Sequence, residues 1–190
     1  MESSREDAEL IAAYLAGDEA AFEALAERHL RGAYTLALRL TGEREMAEDV
    51  VQEAFVKAWR ALGRYARAEA SFKTWLARIV RNTAIDHLRK KRHVPFSAFE
   101  GDEGEPAAPE IASDEPLPDE LAARAEGAAA VERAVATLPL PYREALALHY
   151  GDGLTFDEMA EVTGTSANTL KSRHRRALAA LRAVLHPPAG

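Results

Sequence analysis

The amino-acid sequence predicts an all-α protein made of two small helical domains joined by a flexible linker. Apolar residues recur at helical spacing in both halves of the chain, and no stretch shows the sustained alternation that is typical of strands. Five of the nine prolines fall within residues 94–120 among dense acidic residues, a composition that opposes collapse. We therefore expect one domain at residues 1–93, a linker at 94–120 and a second domain at 121–186.

Four helices are predicted in the first domain. Their apolar residues fall within positions 10–15, 22–37, 50–62 and 72–80. Gly17 and Gly42 separate the first three helices, because glycine readily adopts the backbone conformation that ends a helix. Ser71 precedes the fourth helix as a candidate N-cap, since its hydroxyl can accept a hydrogen bond from a backbone N–H of the first turn.

The fourth predicted helix carries a stripe of positive charge. At about 100° per residue, an arc of roughly 100° opposite the core side holds Arg78, Arg81, Asn82, Arg89 and Arg92. A solvated helix normally mixes charges of both signs, so a stripe of one sign favours phosphate binding, with Asn82 placed to read a base edge. The stripe could instead face acidic protein, including the chain's own linker.

The overall charge of −7 hides two opposite segments. Residues 54–92 hold eleven Lys/Arg and two Asp/Glu, a balance of +9, whereas residues 93–130 hold ten acids and one arginine, a balance of −9. Charges farther apart than a Debye length of roughly 8 Å are largely screened, so a polyanion responds to the local basic segment. The opposite balance of the linker suggests that it could inhibit DNA binding.

A helix-turn-helix is predicted in the second domain, which otherwise reads as helices interrupted at Pro139-Leu140-Pro141. Thr155 and Glu158 form a capping box, Gly164 suits the sharp turn, and Leu170 can fill the angle between the two helices. The outer face of the second helix and its cap offer groups for base edges and phosphates. These candidates are Ser166, Asn168, Thr169, Lys171, Ser172, Arg175 and Arg176. We expect His174, on the apolar side of this helix, to be a packed neutral histidine.

Several classes of protein are disfavoured by composition. No apolar run reaches the roughly 18 residues that span a bilayer, and the N-terminus lacks the pattern of a signal peptide. The chain has no cysteine, no glycine-rich phosphate loop and no histidine cluster at metal-ligand spacing. We therefore expect a cytoplasmic protein that is not an enzyme and has no catalytic residue, metal, cofactor, small-molecule substrate or membrane insertion.

Segments in both domains resemble the extracytoplasmic-function sigma factors of the sigma-70 family. In the first domain these are residues 18–22 (DEAAF), 49–55 (DVVQEAF), 74–79 (TWLARI) and 82–86 (NTAID). In the second domain they are Leu138-Pro139, Arg143, 154–160 (LTFDEMA) and 169–173 (TLKSR). Each segment alone is weak evidence for the family, but the order and spacing of the segments together are specific to it. His174 departs from the leucine or isoleucine that is usual in the family.

The resemblance implies partners and residue roles. Core RNA polymerase is expected to bind the third helix through Asp49, Gln52, Glu53 and Phe55. The minus-ten promoter element is expected to contact Arg64, Tyr65, Ser71, Phe72, Arg78, Arg81, Asn82 and Arg89, partly by capture of a flipped base. The helix-turn-helix would read the minus-thirty-five element, and an anti-sigma factor is implied as a further partner.

Three other classes of protein explain this sequence less well than a sigma factor does. A two-domain helix-turn-helix regulator that does not bind core polymerase would explain residues 121–186 but neither the basic stripe nor residues 49–55. An enzyme lacks supporting motifs. A structural helical adaptor leaves the basic outer face of the last helix unexplained.

Overall fold

The N-terminal domain consists of four helices that follow the predicted order. The computed structural model describes residues 2–65, 70–92 and 125–185, so the linker predicted at 94–120 lies outside the described residues. The helices are α1 (Glu2–Leu15), α2 (Glu19–Thr41), α3 (Arg44–Ala61) and α4 (Phe72–Arg92), with a short 3-10 turn at Leu62–Arg64.

The described C-terminal residues are helical as well. They form α5 (Ala125–Thr137), α6 (Leu140–Leu146), a π-helical turn (Ala147–Gly151), α7 (Phe156–Thr163) and α8 (Ala167–Leu185). Every regular element in the described ranges is a helix, which confirms the predicted all-α class.

Local capping determines where several helices begin and end. Asp18 Oδ1 accepts a hydrogen bond from the Ala20 N–H at 3.1 Å, which starts α2, and Gly42 ends it with φ 74°. The predicted N-cap at Ser71 is confirmed, because its Oγ accepts from the Thr74 N–H at 3.1 Å. Thr155 begins α7 with the predicted capping box.

The core of the N-terminal domain lies where α2, α3 and α4 pack together. Its fully buried side chains include Leu25, Val50 and Val80, which come from the three apolar stripes that helical spacing predicts, and Leu40, which lies beyond the predicted positions 22–37. Burial of one such side chain stabilises the fold by about 1.5–3 kcal/mol, which allows a domain of this size to be stable.

The C-terminal domain has a smaller core of its own. It joins α5, α6 and α8 through Ala134, Leu138, Tyr142, Leu146, Ala177 and Leu181. The Tyr142 hydroxyl is buried in this core, where the described part of the chain gives it no hydrogen-bond partner, and burial raises its pKa.

The two domains also pack against each other. Helix α7 lies on α4, while α6 and the π-helical turn lie on α2. Leu148, Met159 and Leu170 of the C-terminal domain thereby join the core that contains Leu25 and Val80. We call this contact the domain junction. The sequence predicts two domains joined by a linker, whereas the structure makes their cores continuous.

Candidate nucleic-acid and polymerase interfaces

The basic stripe of α4 is partly covered. Asn82 is exposed, but Arg81 retains only 16% of its side-chain exposure, because its Nε donates to Glu144 Oε1 at 2.6 Å. Arg78 Nε is buried and has no hydrogen-bond partner among the described residues, and Ile85 in the middle of the stripe is only 6% exposed. The expectation that this side of α4 faces solvent is therefore wrong in this conformation, since α7 packs on it.

Arg89 continues the stripe toward the end of α4. Its Nη1 lies 3.8 Å from Asp86 Oδ1, and both side chains are exposed by more than a third. Ion pairs with this exposure contribute little to stability.

Aromatic rings gather at the start of α4. Phe72 lies 5.9 Å from Tyr65, 5.6 Å from Trp75 and 5.0 Å from His29, measured between ring centroids. Phe72 is only 3% exposed, so it cannot stack on a base in this conformation, and its predicted role in base contact becomes one of positioning. Sequence reasoning missed Trp75, which its spacing three residues after Phe72 could have indicated.

Two predicted residues next to these rings are engaged in local hydrogen bonds. The Tyr65 hydroxyl donates to the carbonyl oxygen of Ala70 at 2.8 Å, which ties together the two ends of the segment before α4. Ser71 Oγ is shared with Thr74 Oγ1 at 2.8 Å. Arg64 is exposed nearby, so of the predicted residues before α4 it offers its charge most directly to a ligand.

The third helix presents an acidic and apolar outer face. Asp49 and Gln52 are exposed as predicted, and Phe55 is half-buried against the core. Val56 and Trp59 are 46% and 50% exposed and follow Asp49 and Gln52 at helical spacing, within an arc of roughly 80°. Sequence reasoning missed these two apolar residues, although continuing the same spacing along the helix would have found them.

Glu53 differs from the other predicted polymerase-binding residues because it is tied to neighbouring side chains. Its carboxylate contacts Lys57 Nζ at 2.8 Å and His87 Nε2 at 2.7 Å, and Lys57 Nζ also donates to Thr83 Oγ1 at 3.1 Å. Hydrogen bonds from Lys57 and His87 lower the pKa of Glu53 to about 2, so this side chain remains ionised at physiological pH. Its contact with His87 links α3 to α4.

The helix-turn-helix has the predicted geometry. Gly164 turns the chain after α7 with φ 72°, and Leu170 is fully buried between the two helices. Ser166 Oγ accepts from the Thr169 N–H at 3.1 Å, which caps α8 and confirms the predicted cap. The predicted base-reading and phosphate-binding residues that remain exposed on α8 are Asn168, Lys171 and Arg175.

The other predicted residues of α8 are less available. Ser172 and Arg176 are half-buried, and Thr169 Oγ1 shares a hydrogen bond with Ser166 Oγ at 2.9 Å. Lys171 Nζ lies 5.9 Å from the centroid of the Phe156 ring, which holds its charge near the start of the helix.

His174 is packed among aromatic rings, as expected. Its ring lies 4.9 Å from His149, 5.4 Å from Tyr150 and 5.5 Å from Phe156. Its Nε2 is buried and finds no hydrogen-bond partner within residues 2–65, 70–92 and 125–185. Burial, with a smaller effect from His149, lowers the pKa of His174. The histidine that departs from the resembled pattern therefore supports the orientation of α8 as a neutral side chain.

Residues 2–65, 70–92 and 125–185 contain no group of three or more side chains suited to hold a metal ion. Within the same ranges no helix is long and apolar enough to cross a membrane.

Two family models match the chain in the order of its domains. Sigma-70 region 2 matches residues 25–94, and Sigma-70, region 4 matches residues 128–181. The first match spans most of α2 and all of α3 and α4, and the second includes the helix-turn-helix.

Curated relatives match nearly the whole chain. RNA polymerase sigma-H factor of Pseudomonas aeruginosa is 34% identical over 98% of this chain and 97% of its own length. ECF RNA polymerase sigma factor SigM of Mycobacterium tuberculosis is 36% identical over 95% and 85% of the two chains. ECF RNA polymerase sigma-E factor of Escherichia coli is 34% identical over 90% of each chain.

Solved structures share the architecture of both domains. CnrH in complex with the cytosolic domain of CnrY gives a TM-score of 0.66 at 27% identity, covering 97% of this chain and 99% of that chain. RpoE of Bartonella quintana in complex with the anti-sigma factor NepR gives a TM-score of 0.64 at 25% identity, covering 88% and 98%. These similarities favour a sigma factor over a helix-turn-helix regulator. The chain belongs to the extracytoplasmic-function group of the sigma-70 family and is an RNA polymerase sigma factor.

Proposed function

We propose that this sigma factor binds core RNA polymerase through the outer face of α3 and promoter DNA through α4 and α8. The observation that carries the proposal is the separation of surface chemistry within the chain. The face of α3 is acidic and apolar, whereas the DNA-facing sides of α4 and α8 carry arginine, lysine and asparagine. The corresponding domain limits are residues 1–93 and 121–186, joined by 94–120.

The minus-thirty-five element is assigned to α8. Its first turns expose Asn168 and Lys171, and Arg175 follows one turn later. A helix that enters the major groove reads base edges mainly from its N-terminal residues, and arginine and asparagine can each make two hydrogen bonds to one base. Capping by Ser166 and burial of Leu170 hold this end of α8 in a defined position.

The minus-ten element is assigned to the stripe of α4 and the segment before it. Asn82 is an exposed amide between Arg78 and Arg89, so phosphate binding on either side would place a base edge near it. Tyr65 is half-buried and could stack on an unstacked base, with Phe72 and Trp75 supporting its ring.

The face of α3 is assigned to core polymerase. Asp49 and Gln52 supply charge and hydrogen bonding, while Val56 and Trp59 add apolar area for which the described residues provide no cover. A partner that combines basic side chains with an apolar patch would complement this face.

The protein's role is proposed to be stoichiometric. It lends promoter specificity to a polymerase that performs the chemistry, so the chain needs no catalytic residue or cofactor and acts in the cytoplasm. RpoE of Bartonella quintana was solved with an anti-sigma factor. We infer that an anti-sigma factor binds this chain as well.

Transcription in vitro from a promoter library with core polymerase tests these assignments. Arg175→Ala should lose selection at the upstream element, Asn82→Ala should impair DNA opening, and Asp49→Ala should weaken polymerase binding. Arg133→Ala, an exposed arginine on α5, is the matched control and should transcribe normally. Normal transcription by all three test variants would contradict the site assignments, and an unaltered choice of start site by the native chain would contradict the function.

A further inference from the structure

Helix α1 lies outside both family matches, yet it buries a carboxylate. The matches cover residues 25–94 and 128–181, and no predicted site residue lies on α1. Asp7 on this helix is only 5% exposed, whereas the neighbouring Glu6 is exposed. A carboxylate is costly to remove from water unless other groups donate hydrogen bonds to it, so the burial of Asp7 implies a specific set of partners.

The partners of Asp7 come from α2. Arg28 Nε donates to Asp7 Oδ1 at 3.2 Å, and His29 Nε2 lies 3.0 Å from Asp7 Oδ2. A carboxylate accepts hydrogen bonds, so His29 Nε2 carries the proton and donates it to this bond. Because the bond holds one nitrogen of the imidazole, the His29 ring cannot turn without losing it.

The same imidazole contacts the first ring of α4. The ring centroids of His29 and Phe72 lie 5.0 Å apart at an interplanar angle of 63°, which is an edge-to-face contact. Phe72 makes a second edge-to-face contact with Tyr65, at 5.9 Å and 88°, and Trp75 lies 5.2 Å from Tyr65. Pairs of this kind depend on orientation as well as distance, so each ring restrains the next. A continuous set of contacts therefore runs from α1 to Tyr65.

Attachment of α1 to the domain does not require this polar contact. Ile11 is buried in the core of the N-terminal domain, and the ring centroids of Tyr14 and Phe22 lie 5.7 Å apart. A buried ion pair adds little net stability, because the cost of taking its charges out of water offsets their attraction. The orientation that Asp7 gives to the His29 ring explains the contact better than stability does.

We propose that Asp7 and His29 are positioning residues for the base-binding ring of Tyr65. Asp7 orients His29, His29 restrains Phe72, and Phe72 holds Tyr65 ready to stack on an unstacked base. The inference rests on the proposed assignment of Tyr65 to the minus-ten element. Asp7 and His29 do not touch DNA themselves, and they act by reducing the side-chain freedom that Tyr65 loses when it stacks.

The test measures base stacking separately from phosphate binding. Holoenzyme is assembled from core polymerase and each sigma variant, and it is titrated with two fluorescent single strands of equal length. One strand carries bases of mixed sequence, and the other has the same sugar–phosphate backbone with every base removed. The ratio of the two affinities reports base stacking, because both strands offer the same phosphates. A purely structural role for Asp7 and His29 would change both affinities alike and leave the ratio unchanged.

Asp7→Ala and His29→Phe break the proposed contact from its two sides. Asp7→Ala removes both acceptor oxygens, whereas His29→Phe keeps a ring beside Phe72 and removes the donor. Each should lower the ratio about three- to tenfold, the cost of ordering one freed side chain. The double variant should lower it no further, because both changes break the same contact. Additive losses, or no loss in His29→Phe, would overturn the proposal even if Asp7→Ala fails to assemble with polymerase.

Glu6→Ala is the matched control. Glu6 Oε2 lies 2.7 Å from Arg28 Nη1, so this variant also takes one carboxylate away from Arg28 and makes the same change of charge as Asp7→Ala. It leaves Asp7 bound to His29, and its ratio of affinities should stay at the native value. A loss in Glu6→Ala equal to that in Asp7→Ala would assign the effect to charge and contradict positioning through His29.

A fluorescence measurement tests the same contacts without DNA. The sequence has two tryptophans, so Trp59→Phe leaves Trp75 as the only indole. Time-resolved anisotropy should show little fast motion of Trp75 in this background and in Glu6→Ala, and more in Asp7→Ala and His29→Phe. Equal mobility of Trp75 in all four proteins would show that the contact does not restrain the rings, and the proposal would be wrong.

Tyr65→Leu separates this proposal from the proposed function. If Tyr65→Leu lowers the ratio while Asp7→Ala and His29→Phe do not, Tyr65 binds a base but α1 does not position it. If all three variants keep the native ratio, Tyr65 does not bind a base and the positioning role fails with that assignment. The proposal requires that all three lower the ratio.

Discussion

The two cationic helices of this sigma factor differ in how available they are. Helix α8 exposes Asn168, Lys171 and Arg175 to solvent, whereas α4 has Arg81 paired with Glu144 and Ile85 buried under α7. Both helices carry similar side chains, so composition alone does not separate them. A basic helix face is therefore available as a binding site only where tertiary packing leaves it exposed.

The exposed face of α8 depends on the packing behind it, so a substitution that disrupts this packing should cause the greatest loss of stability. Leu170→Ala empties a fully buried position between α7 and α8. We expect it to lower the free energy of unfolding by about 2–5 kcal/mol, as is usual for a buried leucine. Urea denaturation followed by circular dichroism measures this, with Val184→Ala, 50% exposed, as a control near zero. Equal effects of the two variants would show that α8 does not rely on Leu170.

The stability of the protein should depend on pH because of Asp152, whose carbonyl oxygen contacts Lys73 of α4. Burial raises the pKa of Asp152 to about 6 from its ordinary value of 3.8, although Lys73 and Arg39 oppose the shift. Because the ionised form is disfavoured in the folded protein, stability falls as pH rises from about 4 to about 6 and then levels off.

Asp152→Asn should remove that dependence. At pH 7 it should stabilise the protein by about 3 kcal/mol, the equivalent of two pKa units, with no difference near pH 4. Urea denaturation at both pH values measures the gain, and Asp86→Asn, whose side chain is 50% exposed, serves as the control. A stabilisation that is the same at pH 4 and pH 7 would contradict the assigned protonation.

The two helices should also respond differently to loss of the contact between Glu144 and Arg81. Arg175→Ala should weaken binding of duplex promoter DNA by about 1–3 kcal/mol, equally in the native and Glu144→Gln backgrounds. Arg78→Ala should weaken DNA binding more in the Glu144→Gln background than in the native chain, because Glu144 then no longer neutralises Arg81 on the same stripe. Fluorescence anisotropy of the four combinations tests this. Equal dependence of both arginines on Glu144 would remove the distinction between the helices.

The smallest expected effect concerns α3, which the domain junction leaves open. His87→Leu removes one hydrogen bond to Glu53, so the pKa of Glu53 should rise from about 2 toward its ordinary value of 4.5. A lowered acid pKa stabilises the fold above pH 4.5, and that stabilisation is lost as pH falls toward 2. Since the Glu53 side chain is 39% exposed, the loss at pH 7 should be only about 0.5 kcal/mol.

Carboxyl NMR titration measures the Glu53 shift directly. Lys90→Gln, an exposed residue on the same helix, should leave the titration unchanged. A Glu53 pKa that stays near 2 in His87→Leu would assign the shift to Lys57 alone.

Much of the local structure could be predicted because its causes lie within a few residues. Asp18 and Gly42 bound α2, and Thr155 and Gly164 bound α7, through hydrogen bonds and backbone conformations that span one turn. The exposed face of α8 follows from helical spacing in the same way. Helical spacing could not predict the exposure of α4, because that exposure depends on the packing of α7 against it.

The helices of this sigma factor, their caps, the helix-turn-helix and the positions of the cationic faces all follow from residues close together in the chain. Burial of Phe72, the pairing of Glu144 with Arg81 and the contact of Lys73 with Asp152 arise only when distant segments pack together. The last two contacts join residues 63 and 79 positions apart along the chain. Spacing patterns describe one helix at a time, whereas such contacts require two separately folded surfaces to match in shape and charge.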